Sequence, residues 1–400
     1  MNTNQRLHSL DNLRAIMMWL GIVVHVSVNY MESPAPTPWR DSQTSLLADL
    51  LIVFIHAFRM PVFFILAGFF VAMLVARRGI AAMLQQRVRK LVWPFMLFWP
   101  VLFIGMALLM AVYAHLNAYG TIGVDFSLIP QIPGRAKVSL LHLWFIYYLF
   151  LYCLVYALLL RLSVTVPLGW QEGFARSWKI LGMNWWGILL LSLPLAVAGG
   201  FYRNGMVIPL GSFLPDIAEF IHSGLFFTFG IFLYRYQSEI LENFTRKSWL
   251  YLIAGLPVFV LFLKLSKSFG SAESTGYGMQ WAMAYLYNGV SWLWSFALIG
   301  LFLRYLPGRN RVLTYMADSS YWVYLVHMLG TMGFGILLYH SPFAAIGRMI
   351  CNILLTTVFC LLSYHLLIRH RFMGRFLNGG TKKTTAGPDA GAIHPSQGAQ

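Results

Sequence analysis

The amino-acid sequence predicts an all-α membrane protein, a polytopic bundle of about ten transmembrane helices with both termini in the cytoplasm. Of its 400 residues, 58% are apolar and only 10% are charged, whereas a typical soluble protein carries about 25% charged residues. The apolar residues fall into ten long stretches, and the basic residues concentrate in alternate connections between them. A soluble globular domain, a disordered chain and a disulfide-rich secreted scaffold are therefore excluded.

Each predicted helix is a run of about twenty mostly apolar residues, the length needed to cross the hydrocarbon core of a bilayer. The first run is too long for a signal peptide and lacks a small-residue cleavage site, so we expect it to remain as an anchor. Residues 163–181 are predicted to form a long cytoplasmic loop lying on the membrane interface. The ten runs lie at about residues 11–30, 51–76, 92–115, 140–160, 183–200, 218–235, 249–265, 280–303, 314–338 and 345–368.

The positions of the basic residues determine the predicted orientation. With a cytoplasmic N-terminus, 20 of the 29 Lys and Arg residues fall on the cytoplasmic side and 7 on the outer side, the bias expected of a multi-pass protein. The remaining two, Arg14 and Arg59, lie within spans. We attribute the net charge of +16 to this topology, and expect the lipid bilayer, not nucleic acid, as the partner.

One membrane domain is predicted over residues 1–377, followed at 378–400 by a disordered cytoplasmic tail that is rich in Gly, Thr and Ala. The three cysteines, Cys153, Cys351 and Cys360, all lie in apolar runs and form no C-x-x-C pair. We therefore expect neither a disulfide framework nor a metal site.

Ionisable residues inside spans are costly, so each is a functional candidate. Arg14 and His25 in the first span are eleven residues apart, or three helical turns, which places both on one face with about 16 Å between them along the axis. Arg14 is thus predicted near the cytoplasmic end and His25 in the outer half of the membrane. The alternative is a snorkelling arginine, paired with Asp11, and a hydrogen-bonded core histidine.

Other polar residues are predicted at the level of His25. His56 and Arg59 lie one turn apart in the second span, and His142 opens the fourth. A buried arginine needs an anionic partner or a water-filled cavity. Arg59 therefore either serves a site or pairs with Glu219 of the sixth span, and His142 either lines that site or anchors the membrane interface.

Two further histidines are predicted in the bundle, His222 at the start of the sixth span and His327 near the middle of the ninth; for His327 we favour a hydrogen-bonded core residue. At the cytoplasmic end, Arg87, Arg89 and Lys90 either bind phosphates or only set the orientation. Cations on the inner side with imidazoles on the outer side are what transfer of a group across the membrane would need.

Five segments, in order, resemble signatures of the acyltransferase 3 family of membrane acyltransferases. The Phe-Arg-Met in the second segment is most similar to the branch that succinylates periplasmic glucans, although Ala67 stands where the family usually has Ser. The resemblance covers about residues 8–370. The segments are residues 10–15 (LDNLRA) followed by His25, 56–69 (HAFRMPVFFILAGF), 87–94 (RVRKLVWP), 142–145 (HLWF) and 320–327 (SYWVYLVH).

The resemblance implies an enzyme of the bacterial inner membrane that binds an acyl-coenzyme A donor from the cytoplasm. Its acyl group, succinyl or acetyl, would pass to a hydroxyl of an extracytoplasmic carbohydrate such as a periplasmic glucan. His25 corresponds to the catalytic histidine of the family. Arg14 and the cluster at residues 87–90 correspond to groups that hold the donor.

We therefore predict a membrane O-acyltransferase in which neutral His25 accepts the proton of the attacking hydroxyl. Arg59 or His142 would stabilise the oxyanion, and an acyl group carried on His25 is equally compatible with the sequence. The alternative function is a transporter of a sugar or lipid-linked glycan. Ten helices with scattered intramembrane histidines also suit a transporter, but neither inverted repeats nor paired broken helices are evident.

Overall fold

The computed structural model describes residues 3–33, 39–129, 138–209, 211–269, 277–308 and 310–369, which together are almost entirely helical and contain no β-strand. The tail predicted at 378–400 lies outside these residues. Within them the long helices are α1 (Thr3–Asn29), α2 (Leu46–Arg87), α3 (Trp93–Tyr119), α4 (Trp144–Leu162), α5 (Leu168–Met183), α6 (Trp185–Gly199), α7 (Ile217–Arg235), α8 (Gln237–Phe269), α9 (Tyr277–Tyr305), α10 (Arg311–Leu338) and α11 (Ala345–Ser363).

Eight helical stretches of the described chain are long and apolar enough to cross a membrane, or nine if α5 and α6 count as one bent span. One of the eight, Leu46–Tyr119, runs for 74 residues through α2, a π-helical turn at Val88–Val92 and α3. It holds two of the predicted spans and is interrupted at Gly79, where φ is 80°. A straight helix of this length would measure about 110 Å, several times the bilayer core.

Contacts with other helices show that α2 and α3 are separate crossings. The start of α2 meets the end of α1, where Ser45 N donates to Tyr30 O at 2.9 Å, and Phe70 lies 5.6 Å from the Arg14 guanidinium. Helix α2 therefore runs antiparallel to α1. We name the two ends of the bundle after the ends of α1, the Arg14 end and the Asn29 end.

Helices α3 and α10 run in the same direction as α1. Trp19 Nε1 donates to Met316 O at 3.2 Å and Asn29 Nδ2 to Thr331 O at 3.0 Å, so α10 follows α1 from end to end. Along α10, Tyr321 Oη donates to Lys90 O at 2.9 Å just before α3 begins. His340 Nε2 lies 2.9 Å from Gly120 O just after α3 ends.

The structure corrects the conformation predicted for residues 163–181, which are largely helical and not a loop. Helix α5 fills this region, and Trp178 is buried while Trp170 is 78% exposed. At Asn184 the backbone leaves the helical region and α6 departs at 111°. Helix α6 has only 15 residues, and its exposed Leu190, Leu193 and Val197 form an outer surface suited to lipid.

Glycines allow the closest helix contact near the centre of the bundle. A Cβ at Gly68 on α2 would collide with the Phe227 carbonyl on α7, and one at Gly230 would collide with the Ile65 carbonyl. The backbones of α2 and α7 therefore touch, as small residues permit at membrane helix interfaces. This contact holds the segment that carries Arg59 against the rest of the bundle.

Candidate active site

Three imidazoles from three separate elements meet inside the bundle. The ring centroid of His327 on α10 lies 5.1 Å from that of His25 on α1 and 5.2 Å from that of His142, which precedes α4. We call these three residues the imidazole cluster. The structure thus brings the two predicted histidines His25 and His142 to one place and adds His327 between them.

The backbone around His142 is held from two sides. Its Nε2 lies 3.1 Å from Leu325 O, and Tyr324 Oη donates to His142 O at 2.7 Å. On the other side Leu140 N donates to Gly211 O at 2.6 Å, and Leu141 has a left-handed φ of 54°. A β-strand or helix would not give this conformation, so the position of His142 is maintained by these contacts at a local strain cost.

The hydrogen bonds also assign the protons of two imidazoles. A carbonyl oxygen only accepts, so His142 carries its proton on Nε2, and His327, whose Nδ1 lies 2.9 Å from Val323 O and 2.8 Å from Tyr324 O, carries its proton on Nδ1. The other nitrogens, His142 Nδ1 and His327 Nε2, are buried without a partner among the described residues. Each neutral ring therefore presents an unoccupied acceptor nitrogen inside the bundle.

Arg59 lies beside the imidazole cluster, within electrostatic range of all three rings. It is 5% exposed, its Nε donates to Met17 O at 3.0 Å, and its guanidinium lies 5.9 Å from the Phe63 ring. Arg59 also touches Gly21, whose lack of a side chain leaves room for the guanidinium. A buried positive charge thus faces the rings.

The alternative pairing of Arg59 with Glu219 is not present in the described part of the chain. Glu219 instead accepts a hydrogen bond from Tyr148 Oη at 2.9 Å, and no described carboxylate forms an ion pair with Arg59. His222 is likewise elsewhere, with its Nε2 2.8 Å from Asn288 Oδ1. His56 contacts Ile52 O on its own helix at 3.2 Å.

The Arg14 end holds a second group of cations. Arg14, Arg87 and Lys90 are close enough to act on one another electrostatically, and we call them the Arg14 group. Arg14 also forms an exposed pair with Asp11 at 3.2 Å, and Arg87 Nε is buried with no hydrogen-bond partner among the residues that the structure describes. Arg89 is exposed on the π-helical turn, so the structure gathers three of the four cations predicted to hold a donor.

The Arg14 group and the imidazole cluster each contribute one residue to helix α1, Arg14 and His25, and these two lie at different levels of that helix. Helix α1 runs unbroken from Arg14 to His25, so about 16 Å of axis separates them. In the described chain, no three His, Cys, Asp or Glu side chains are grouped in a way that could hold a metal ion. The arrangement is chemically suited to hold an anion at one level and to move a proton at the other.

The sequence interpretation missed the place of His327 and Tyr324 in this arrangement. Both belong to the segment 320–327, which matched a family signature, and that match was the available signal. Periodicity could not provide it, because the partner of His327 on α1 is some three hundred residues away in the chain.

Comparison with known proteins gives a consistent result over most of the chain. The family model of the acyltransferase domain, Acyl_transf_3, matches residues 7–365. Glucans biosynthesis protein C of Salmonella typhimurium is 24% identical over 379 residues, covering 91% of this chain and 92% of the relative. Its Escherichia coli K12 counterpart is 26% identical over 341 residues, 83% of each chain. No solved structure matches.

Proposed function

The chain belongs to the acyltransferase domain family whose model spans residues 7–365, and from that premise we propose that it transfers an acyl group from acyl-coenzyme A to a hydroxyl of an extracytoplasmic glycan. The chain is an acyltransferase by family and a multi-pass membrane protein by its helices. The glycan acceptor is supported by the relatives, which are named for glucan biosynthesis. The bacterial inner membrane is the location that such an enzyme would require.

One observation carries the proposal: an imidazole cluster inside the bundle beside an arginine that forms no ion pair with any described carboxylate, about 16 Å along α1 from a group of cations. The Arg14 group suits the phosphates of coenzyme A, which bind guanidinium and ammonium groups through charge-assisted hydrogen bonds. Arg87 fits this role best because its Nε is buried and has no partner in the described part of the chain. With the phosphates held at the Arg14 group, the distance of about 16 Å along α1 would allow the thioester end of the donor to reach the imidazole cluster.

The reaction we derive moves one proton out and back. His25 accepts the proton of the acceptor hydroxyl as its oxygen attacks the thioester carbonyl, and Arg59 stabilises the oxyanion that forms. The C–S bond then breaks, the ester remains on the glycan, and the coenzyme A thiolate receives the proton from His25. Transfer of the acyl group through a His25 acyl-imidazole gives the same products in two steps.

His327 and His142 lie in the same cluster as His25, and we assign them supporting roles in this chemistry. His327 packs directly against His25 while its Nδ1 proton is held by two carbonyls. Its Nε2 has no hydrogen-bond partner among the described residues, so it remains an acceptor beside the His25 ring. A neutral His25 keeps one ring nitrogen unprotonated, as a general base requires.

The test is thiol release from acetyl- and succinyl-coenzyme A by the purified protein in the presence of a glucose oligosaccharide. We expect His25→Ala to retain less than about a tenth of the wild-type rate, because general-base help is worth roughly 10²–10⁴ in rate. His222→Gln is the matched control, since His222, like His25, is partly buried in the bundle but is bonded to Asn288. It should keep most of the activity.

Two outcomes would contradict the proposal. A His25→Ala variant that transfers at near the wild-type rate would remove the base. A wild-type protein that moves glycan across vesicles but releases no thiol would indicate the transporter that the sequence left as the alternative.

A further inference from the structure

A second group of polar side chains lies at the Asn29 end, one helical turn beyond the imidazole cluster. Asn29 follows His25 by four residues on α1 and Thr331 follows His327 by four on α10, and Asn29 Nδ2 donates to Thr331 O at 3.0 Å. One helical turn is about 5.4 Å. The group therefore adjoins the imidazoles on the side opposite the Arg14 group.

The group is distinguished by polar atoms that lack partners. Ten buried side-chain polar atoms of the described chain have no hydrogen bond of ordinary geometry, and five of them lie here, although Tyr30 Oη is close enough to the Asn352 side chain to interact with it. Native proteins keep few such atoms because each is costly, so these groups need partners that the described chain does not supply. We call these residues the outer polar cluster: Asn29 (Oδ1), Tyr30 (Oη), Asp41 (Oδ2), Tyr113 (Oη) and Ser341 (Oγ).

Direct contacts make the cluster one continuous region. Asp41 N donates to Asn29 O at 2.7 Å, and Asp41 Oδ1 pairs with Arg348 Nη1 at 2.6 Å. Gly335 lies between Asn29 and Tyr113, since a Cβ there would meet Asn29 Nδ2 at 2.9 Å and Tyr113 Oη at 3.4 Å. The polar atoms thus lie close together where the ends of α1, α3 and α10 meet.

The cluster connects the protein surface to the histidines. Ser42, next to Asp41, is exposed, and its hydroxyl lies 3.4 Å from Arg348 Nη1. From there polar groups continue through Asp41 to Asn29 and so to the level of His25. A ligand that entered at the Asn29 end would meet polar atoms along the whole distance.

The chemistry of the cluster favours a neutral ligand rich in hydroxyls. Asp41 and Arg348 form an ion pair, so their charges cancel. Burial raises the pKa of Tyr30 above its usual value of 10. It also raises the pKa of Asp41 above 3.8, although the backbone N–H of Gln43 and the Arg348 charge act to lower it. The tyrosines therefore remain hydroxyls, which both donate and accept, beside acceptor oxygens of Asn29 and Asp41.

We propose that the outer polar cluster binds a sugar unit of the glycan acceptor and presents one of its hydroxyls to His25. Sugar hydroxyls both donate and accept, so they can satisfy Asn29 Oδ1 and Asp41 Oδ2 as well as the two phenols. The proposal rests on the proposed function for the identity of the acceptor. The unpartnered atoms and their place one turn from His25 are independent of it.

Tyr30→Phe and Tyr113→Phe, made singly and together, test this by removing one hydroxyl each: Tyr113 Oη has no partner in the described chain, and Tyr30 Oη lies beside the Asn352 side chain. The measurement is calorimetric binding of a linear glucose oligosaccharide to the detergent-purified full chain without donor, together with the melting temperature. We expect binding to weaken about three-fold in each single variant and about ten-fold in the double variant, as for lost neutral hydrogen bonds. The melting temperature should stay equal or rise, because a buried unsatisfied group is removed.

Ser295→Ala is the control, since it removes a buried, unpartnered hydroxyl on α9 outside the cluster, and it should leave binding unchanged. Wild-type binding by the double variant would overturn the proposal, and so would a wild-type protein that does not bind the oligosaccharide. If binding depends on the tyrosines but no thiol is released from acyl-coenzyme A, the proposed donor fails and the sugar site stands. If the double variant does not fold, the single variants decide.

Discussion

The Arg59 guanidinium is a buried cation surrounded by imidazole and aromatic rings instead of carboxylates. In the described chain its one hydrogen bond uses Nε, to Met17 O, and no described carboxylate pairs with it. A guanidinium can hold a carboxylate through two parallel hydrogen bonds, which an ammonium cannot reproduce. Arg59 is therefore suited to the distal carboxylate of a succinyl group as well as to an oxyanion.

Replacement of Arg59 by Lys should separate these two roles. If Arg59 recognises the succinyl carboxylate, the preference for succinyl- over acetyl-coenzyme A should fall about ten-fold or more, or about 1.4 kcal/mol. The measurement is competition between the two donors. Arg14→Lys is the matched control, because both donors share the phosphates that Arg14 is proposed to hold, so its effect should be equal on each.

Equal losses with both donors in Arg59→Lys would instead assign Arg59 to the oxyanion. A wild-type enzyme that prefers the acetyl donor would contradict carboxylate recognition without any variant.

Residues within one helix were predictable, and residues that meet across helices were not. The eleven-residue spacing correctly placed Arg14 and His25 at two levels of α1, because helix geometry depends only on local backbone. The sequence could not show that His327 packs on His25, or that Arg59 lacks Glu219, because those contacts follow from how α10, α2 and α7 pack. The roles of His25, Arg59 and His142 in catalysis remain predictions.

At the level of helices, the contact between α2 and α7 depends on two glycines. Gly230→Ala should push the helices apart, because the added Cβ would collide with the Ile65 carbonyl and lie 3.0 Å from Phe69 N. We expect a loss of about 1–3 kcal/mol in stability, the usual cost of overpacking. Denaturation of the detergent-solubilised protein measures it.

Gly333→Ala on α10 is the matched control for this substitution. No atom lies within 4 Å of a Cβ built there, so alanine should be neutral or stabilise the helix by up to about 1 kcal/mol. Similar losses in both variants would show that the loss in Gly230→Ala does not come from the contact with α2.

The helical crossings were predictable because their apolar runs match the bilayer thickness. Helix α5 was not predictable as a span, since its 16 residues are too few and too polar. Helix α6 is short because the chain bends at Asn184, where α6 begins. The ion pair between Asp41, in the α1–α2 connection, and Arg348, at the start of α11, could not be predicted either, because the two residues are 307 positions apart in the chain.

For the whole molecule, the order of the three groups along α1 predicts the side of the membrane from which each substrate is used. The Arg14 group, the imidazole cluster and the outer polar cluster follow one another from the Arg14 end to the Asn29 end. In proteoliposomes of one orientation, acyl-coenzyme A should therefore support transfer only from the Arg14 side and a glucose oligosaccharide only from the Asn29 side. Activity with both substrates on one side of sealed vesicles would contradict this.

If the donor is acyl-coenzyme A, as proposed, the distance between Arg14 and His25 sets the length that the donor must have. Phosphates held at Arg14 would require the sulfur to extend about 16 Å along the axis of α1, so the length of the pantetheine arm would contribute to specificity. A thioester on a truncated arm would stay out of reach of the imidazoles even when its nucleotide is bound. A thioester with a full-length arm but no nucleotide would lack the phosphates that hold the donor at the Arg14 group.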